Sequence, residues 1–309
     1  MHPTAKQQKV NTMINKLIAF GLCLILALAT LAAMDLGSSV EGKESAGNTV
    51  SYIIREPFRI NSNADFPAYA NGGGDGSAGN PWVIENYEID GTGYGYCIYI
   101  GNTTEYFVVR DCLLHNASGI NDLNFYWNSG LALYRAQNGE IANCTVVNCE
   151  FGMSINMESN NILVHENIAK FNGDSGLYIV NNCYNNTITN NTAFSNKCGI
   201  LLENCNLQHV FNNSVINNSY YGLHIFGSHN NHVEQNNASL NGIAGIRISS
   251  GQSWNNTIEE NIASENDDAG IAIASCNDNT ISNNTIYGNS HGFSVTNSGF
   301  TRIDRKSVV

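Results

Sequence analysis

The sequence is poor in charge, in basic residues and in proline. Only 13% of its 309 residues are charged, and it holds four prolines. Fourteen lysines and arginines face 26 aspartates and glutamates, for a formal charge of −12. Lys6, Lys9 and Lys16 precede any acidic residue, so loss of the first 33 residues would leave 11 basic against 26 acidic groups, or −15. A surface of that sign repels a nucleic-acid backbone, and no basic stripe offsets it; nucleic acid is excluded as a partner. No CxxC pair is present, which removes the usual zinc and haem motifs. Glycine and asparagine are plentiful instead. They supply turn conformations that β-branched residues resist, so the composition fits many short strands joined by tight turns.

The N-terminus carries an address. After the three lysines comes an apolar run, LIAFGLCLILALATLAAM, from Leu17 to Met34, ending in small residues near Ala32 and Ala33. Residues 1–34 are expected to be a signal peptide or an N-terminal membrane anchor, the run being long enough for either. Residues 35–48 read as a linker. Either way the rest of the chain is expected outside the cytoplasm, in an extracellular, cell-surface or periplasm-like space.

An internal repeat dominates the remainder of the chain. A glycine followed by alternating apolar residues recurs as GLAL at Gly130, GMSI at Gly152, GLYI at Gly176 and GILL at Gly199. It continues as GLHI at Gly222, GIRI at Gly245, GIAI at Gly270 and GFSV at Gly292, in steps of 22 to 25 residues. A second column runs in phase: Val109, Ile141, Val164, Ile188, Val210, Val233, Ile258 and Ile281, with Ile84 before it. Three residues after its later members stand Asn167, Asn191, Asn213, Asn236, Asn261 and Asn284. Eight residues after stand Asn172, Asn196, Asn218, Asn241, Asn266 and Asn289. Five residues before lie Ser159, Cys183, Cys205, Ser228, Ser253 and Cys276.

A coil of about 23 residues holds three short strands and three turns, and none buries its apolar face alone. Coils must stack, with parallel strands about 4.8 Å apart and the alternating aliphatics turned inward. The asparagines fall at the bends, where their amides can bond to the backbone and to the same residue one coil away. The expected fold is all-β: a right-handed parallel β-helix of about nine coils in three short parallel sheets, over residues 84–309. Residues 49–83, with their glycines between Gly72 and Gly79, are expected to form an N-terminal cap and a Gly-rich loop. Ser298 and Ile303 fall in register with a further coil that is not completed. The chain is therefore expected either to be cut short or to offer that edge for self-association.

The pattern small-x-x-N-x-I-x-x-N…N-x-x-GI-x-I resembles the parallel β-helix repeats of the NosD-like family, within the carbohydrate-binding and sugar-hydrolase β-helix superfamily. The stretch GGGDGSAGNPWVIENYEIDGTGYGYCIYI from Gly72 is similar to the entry of such domains in archaeal secreted proteins. The resemblance covers about residues 50–303. It implies the solenoid fold, and it brings copper into view, since NosD itself is linked to copper-site maturation. The paired-Asp, Gly-His-Gly and Arg-Ile-Lys elements of family hydrolases are missing, so no catalytic residue is assigned.

Several residues remain as site candidates. One step of the apolar column, Val109 to Ile141, is 32 residues, so an insertion lies near HNASGINDLNFYWNS. Its Phe125, Tyr126 and Trp127 suit stacking on sugar rings, or simply pin the loop to the solenoid. His209 and His232 share one column position and should stack outward on consecutive coils, with His229 nearby. Imidazoles so spaced suit copper or zinc, although threonines fill the same column elsewhere. Calcium at the Gly/Asp stretch around Asp75 is the other metal the residues leave open; no cofactor is expected otherwise. Cys112 with Cys144, and Cys183 with Cys205, occupy shared columns within disulfide reach, or serve as small buried fillers. Arg247 is the lone basic residue among the central strands and has no acidic cluster in its column.

The leading expectation is a non-enzymatic surface protein whose partner is a polysaccharide or cell-envelope component. The alternatives are a NosD-like copper-binding accessory protein and a polysaccharide lyase or hydrolase.

Overall fold

A computed structural model describes residues 51–119, 128–299 and 301–304. A representative coil runs along Ser175–Val180, turns a corner into Thr187–Thr189, turns again into Thr192–Phe194, and reaches the next coil at Cys198–Glu203. Corresponding strands pair in parallel from coil to coil. Among the described residues they build two ten-stranded sheets and a third of seven strands, continued by a two-stranded segment. These are named first, second and third in the order the coil visits them.

Register bears out the column reading. In the second sheet Ile84, Val109, Ile141, Val164 and Ile188 are successive partners, followed by Val210, Val233, Ile258, Ile281 and Ile303. From Ile84 to Ile281 every one of them is fully buried. The first sheet stacks Leu131, Met153, Leu177, Ile200, Leu223, Ile246 and Ile271 in the same way. Each aliphatic removed from water contributes roughly 1.5–3 kcal/mol, which is the main drive for stacking.

The corners share a backbone pattern. A residue in the left-handed region breaks the strand, and in the later coils the next residue is in most cases a buried asparagine. At the second corner Asn143, Glu166, Asn190, Asn212, Gln235, Glu260 and Asn283 have φ between 49° and 57°. The asparagine after each of the later six, from Asn167 to Asn284, accepts the amide of its counterpart one coil back: Cys144 N donates to Asn167 Oδ1 at 2.9 Å and Asn191 N to Asn213 Oδ1 at 2.9 Å. Its own Nδ2 donates onward, as from Asn191 to Asn213 at 3.0 Å. The third corner repeats this with Asn172, Asn196, Asn218, Asn241, Asn266 and Asn289. A further ladder of Gln208, Asn231, Asn256 and Asn279 at the first corner escaped the sequence reading. It lies two residues before the apolar column, where Ile162 and Gln208 interrupt the asparagine pattern.

Not every left-handed position carries a residue suited to it. Leu240 sits at φ 60° just before Asn241 and is 51% exposed. Branched side chains crowd the carbonyl in that conformation, whereas asparagine tolerates it. Leu240→Asn is therefore expected to raise stability by about 0.5–1 kcal/mol. An unchanged or lower thermal midpoint would count against this account of the corners.

Stacking starts earlier than Ile84. Ile53–Ile54 pairs with Tyr87–Asp90, and Phe58–Ile60 with Tyr96–Thr103. Residues 49–83 thus contribute strands as well as cover. The sequence hides this because Phe58 meets Ile98, 40 residues on, well beyond the usual period. The cover is the 3-10 helix Asn63–Ala68, whose buried Phe66 lies parallel to Trp82, with ring centroids 6.0 Å apart, and 5.7 Å from Phe107.

The expectation of a transmembrane segment is corrected for the described chain. Among the described residues no helix is long and apolar enough to cross a membrane. The run 17–34, on which that expectation fell, lies outside them, as do Phe125, Tyr126 and Trp127. The extra residues of the long coil lie between Leu113–His115 and Ser129–Ala136, because both of those strands keep their register.

Candidate metal centre

Alternation in the second sheet decides which side chains face out. Val210 and Val233 point into the core, so their neighbours His209, His232 and Glu234 stand on the outer surface. His209 pairs in register with His232, and the two rings stack with centroids 5.2 Å apart and planes 10° from parallel. Phe211 supports the pair from its own strand, 4.5 Å from the His209 ring.

Two carboxylates complete the row. Glu234 Oε1 is 2.8 Å from His209 Nε2, and its Oε2 is 3.7 Å from His232 Nε2. Glu259, one coil further, places Oε1 2.8 Å from His232 Nε2. Imidazoles and carboxylates therefore alternate across three coils, each half-exposed. His165 makes a comparable contact with Glu140 at 3.0 Å, so a cross-coil His–Glu pair is a recurring surface device. Unlike it, Glu234 serves two imidazoles at once.

Ligand atoms of His209, His232 and Glu234 all lie within 4.8 Å of one another, the one such trio among the described residues. Two imidazole nitrogens and a carboxylate oxygen form a borderline-to-hard donor set that suits Cu(II) or Zn(II). Soft thiolate ligands are absent from this face. All eight described cysteines are free thiols buried in the solenoid. Neither Cys112 with Cys144 nor Cys183 with Cys205 is bridged. Burial pushes the Cys198, Cys205 and Cys276 thiols up, which keeps them protonated.

The other sequence candidates separate. His229 leaves the row and lies at a corner, stacked on Trp254 with ring centroids 4.4 Å apart. Asp75 turns its carboxylate back on its own loop, accepting the Ser77 amide at 3.0 Å; hydrogen bonds from Ser77 and Asn80 hold it below the usual carboxylate range. Glu234 and Glu259 were missed as ligand candidates. Their signal was the register itself, since each stands two residues beyond the column position held by the histidines.

Comparison with known proteins places the fold. The family model for the right-handed beta helix region matches residues 59–238. The chain belongs to that family. Within this β-helix, residues 215–307 also match the model of the periplasmic copper-binding protein NosD, a span that includes His232, Glu234 and Glu259 but not His209. A search of curated proteins gives no match. Among solved structures the β-helix is similar to the periplasmic alginate epimerase AlgG, with a TM-score of 0.59, 18% identity, and 72% of this chain over 59% of that one. The A-module of the Azotobacter vinelandii mannuronan C-5 epimerase AlgE4 gives 0.53 and 13%, over 72% and 70% of the two chains. Pectate lyase Pel9A gives 0.54 and 13%, over 84% and 80%. These likenesses show a shared fold; the chain spans about three-fifths of the length of AlgG.

Proposed function

We propose that the protein is an exported copper-binding accessory protein, holding a divalent ion on the outer face of its second sheet. The observation that carries this reading is the His209–His232–Glu234 row: two stacked imidazoles converging on one carboxylate, with Glu259 next in line. His209 and His232 would supply nitrogen ligands, and Glu234 an oxygen. Binding takes the imidazole lone pairs and releases any proton shared with Glu234 or Glu259. A rigid parallel sheet fixes the spacing of the ligands before the ion arrives, which limits the ordering cost of binding. The match of residues 215–307 to the NosD model supports the same reading, as it does a periplasm-like location. The glycan-binding and envelope role has less geometry behind it, because its aromatic candidates lie outside the described residues.

Copper titration decides the matter. The wild-type chain is expected to take up one Cu(II) with a visible d–d absorption band and a raised thermal midpoint. The double variant His209→Ala/His232→Ala, stripped of both nitrogen ligands, should bind at least ~100-fold more weakly. Equal affinities in the two proteins would remove this site.

A further inference from the structure

The outer face of the third sheet carries no acid, in a chain of net charge −12. From Leu113–His115 to Thr285–Tyr287 the middle residue of each strand points into the core and its two neighbours turn outward. The coil at Asn237–Ser239 keeps this register through bridges to Ser214 and Ile262. Among the described residues none of these outward positions holds a carboxylate, and Lys170 is their one permanently charged side chain. The second sheet, by contrast, turns Glu85, Glu140, Glu234 and Glu259 outward, and the first turns Glu203.

What this face and its rim expose is apolar. Ile168, Phe171, Leu240, Ile262 and Tyr287 are each 39–51% exposed, and Phe171 meets Phe194 edge-on with ring centroids 5.9 Å apart. Phe171 and Leu240 carry a second cost. Both occupy left-handed corner positions, at φ 55° and 60°, where a bulky side chain crowds the carbonyl. Apolar residues that are exposed and also held in an unfavourable conformation mark a contact surface.

The order of residues along the face identifies what covers it. Its centre lies between Thr192–Phe194 and Ser214–Ile216, with three coils on either side. A second copy, turned over about a two-fold axis through that centre and parallel to the strands, runs its coils in the opposite order. Phe194 then faces Ile216 of the other copy, and Phe171 faces Leu240, so the two unfavourable apolar corners meet. The acids on the borders do not meet one another. Glu166 falls opposite Gln235, Glu260 opposite Asn143 and Glu265 opposite Asn148. With strands about 4.8 Å apart, the face measures roughly 600 Å², or about 1,200 Å² over both copies, which reaches the lower bound of a specific interface.

We propose that the protein pairs with a second copy of itself through the third-sheet face, the two solenoids lying antiparallel about a two-fold axis between Thr192–Phe194 and Ser214–Ile216. The acid-free face lets two negatively charged chains approach without acid opposing acid, and burial of the apolar stripe supplies the attraction. Pairing is independent of the copper reading, since His209, His232 and Glu234 stand on the second sheet.

Sedimentation velocity of the exported protein, from about 1 to 100 μM, is expected to show a monomer–dimer equilibrium. Phe194→Glu sets a carboxylate against Ile216 of the other copy, and Ile216→Lys sets an ammonium against Phe194. Each variant alone should weaken the dimer at least about tenfold. Mixed in equal amounts, the two variants bring their introduced charges face to face, and the mixture should recover most of the dimer. Thr280→Glu, on the outer face of the second sheet, should leave dimerisation unchanged. A monomer throughout the range, wild-type dimerisation in both single variants, or a mixture no more dimeric than its folded components overturns the pairing. A monomer whose binding to phosphatidylglycerol vesicles is lost in Phe194→Glu gives the face to a lipid surface and overturns it equally.

Discussion

Replacing Asn213 with alanine is expected to destabilise the protein by about 3–5 kcal/mol, read as a lower urea midpoint. The side chain is 2% exposed and takes part in hydrogen bonds on both of its sides. Its Oδ1 accepts Asn191 N at 2.9 Å and Asn191 Nδ2 at 3.0 Å. Its Nδ2 faces Ile188 O at 2.9 Å, Phe211 O at 3.0 Å and Asn236 Oδ1 at 2.9 Å. Truncation leaves these groups buried with fewer partners, each loss costing about 1–3 kcal/mol before any relaxation. The isosteric Asn213→Asp separates hydrogen bonding from packing. It keeps the shape and the acceptor but sets a carboxylate against three oxygens, so it should cost at least as much as alanine near neutral pH. An aspartate variant within about 0.5 kcal/mol of wild type would show that the ladder contributes only shape.

The glycine column gives the second large effect. At Gly222 an added Cβ would lie 2.7 Å from Gly245 O, 2.8 Å from Asn241 Nδ2 and 2.9 Å from Val215 O. Two of these neighbours are backbone and the third is a ladder amide, so none can retreat cheaply. Gly222→Ala is expected to cost roughly 2–4 kcal/mol, with a fall in thermal midpoint and in soluble yield. Gly292 is the internal control. A Cβ there meets only Ile286, at 3.8 Å, and Gly292→Ala should be neutral or slightly stabilising. Equal behaviour of the two variants would show that the column reflects strand flexibility rather than close approach to the amide ladder.

This contrast also explains what was legible in the sequence. The glycine, aliphatic and asparagine columns follow from contacts repeated at every coil, so they recur in the sequence at the coil period. Coil number, strand direction and the inward faces could all be read from them. The left-handed corner residues could not, since Asn143, Glu166, Phe171, Ser195 and Leu240 share a backbone conformation but no side-chain chemistry. The beginning of the stack was obscured by the glycine-rich excursion after Phe58–Ile60. At the candidate metal centre, the stacking of His209 on His232 was visible as a shared column position. Glu234 was not, because its role depends on a diagonal contact between one coil and the next.

The asparagine ladders give the solenoid an axial polarity. From Asn167 to Asn261 every Nδ2 donates to the Oδ1 of the next coil, toward the C-terminus, while also reaching a carbonyl of the coil before. The ladder from Asn172 to Asn289 runs the same way. Amide dipoles aligned head to tail reinforce one another, much as peptide dipoles do along an α-helix. Each ladder thus carries a dipole along the solenoid axis, with its positive end toward the C-terminal coil.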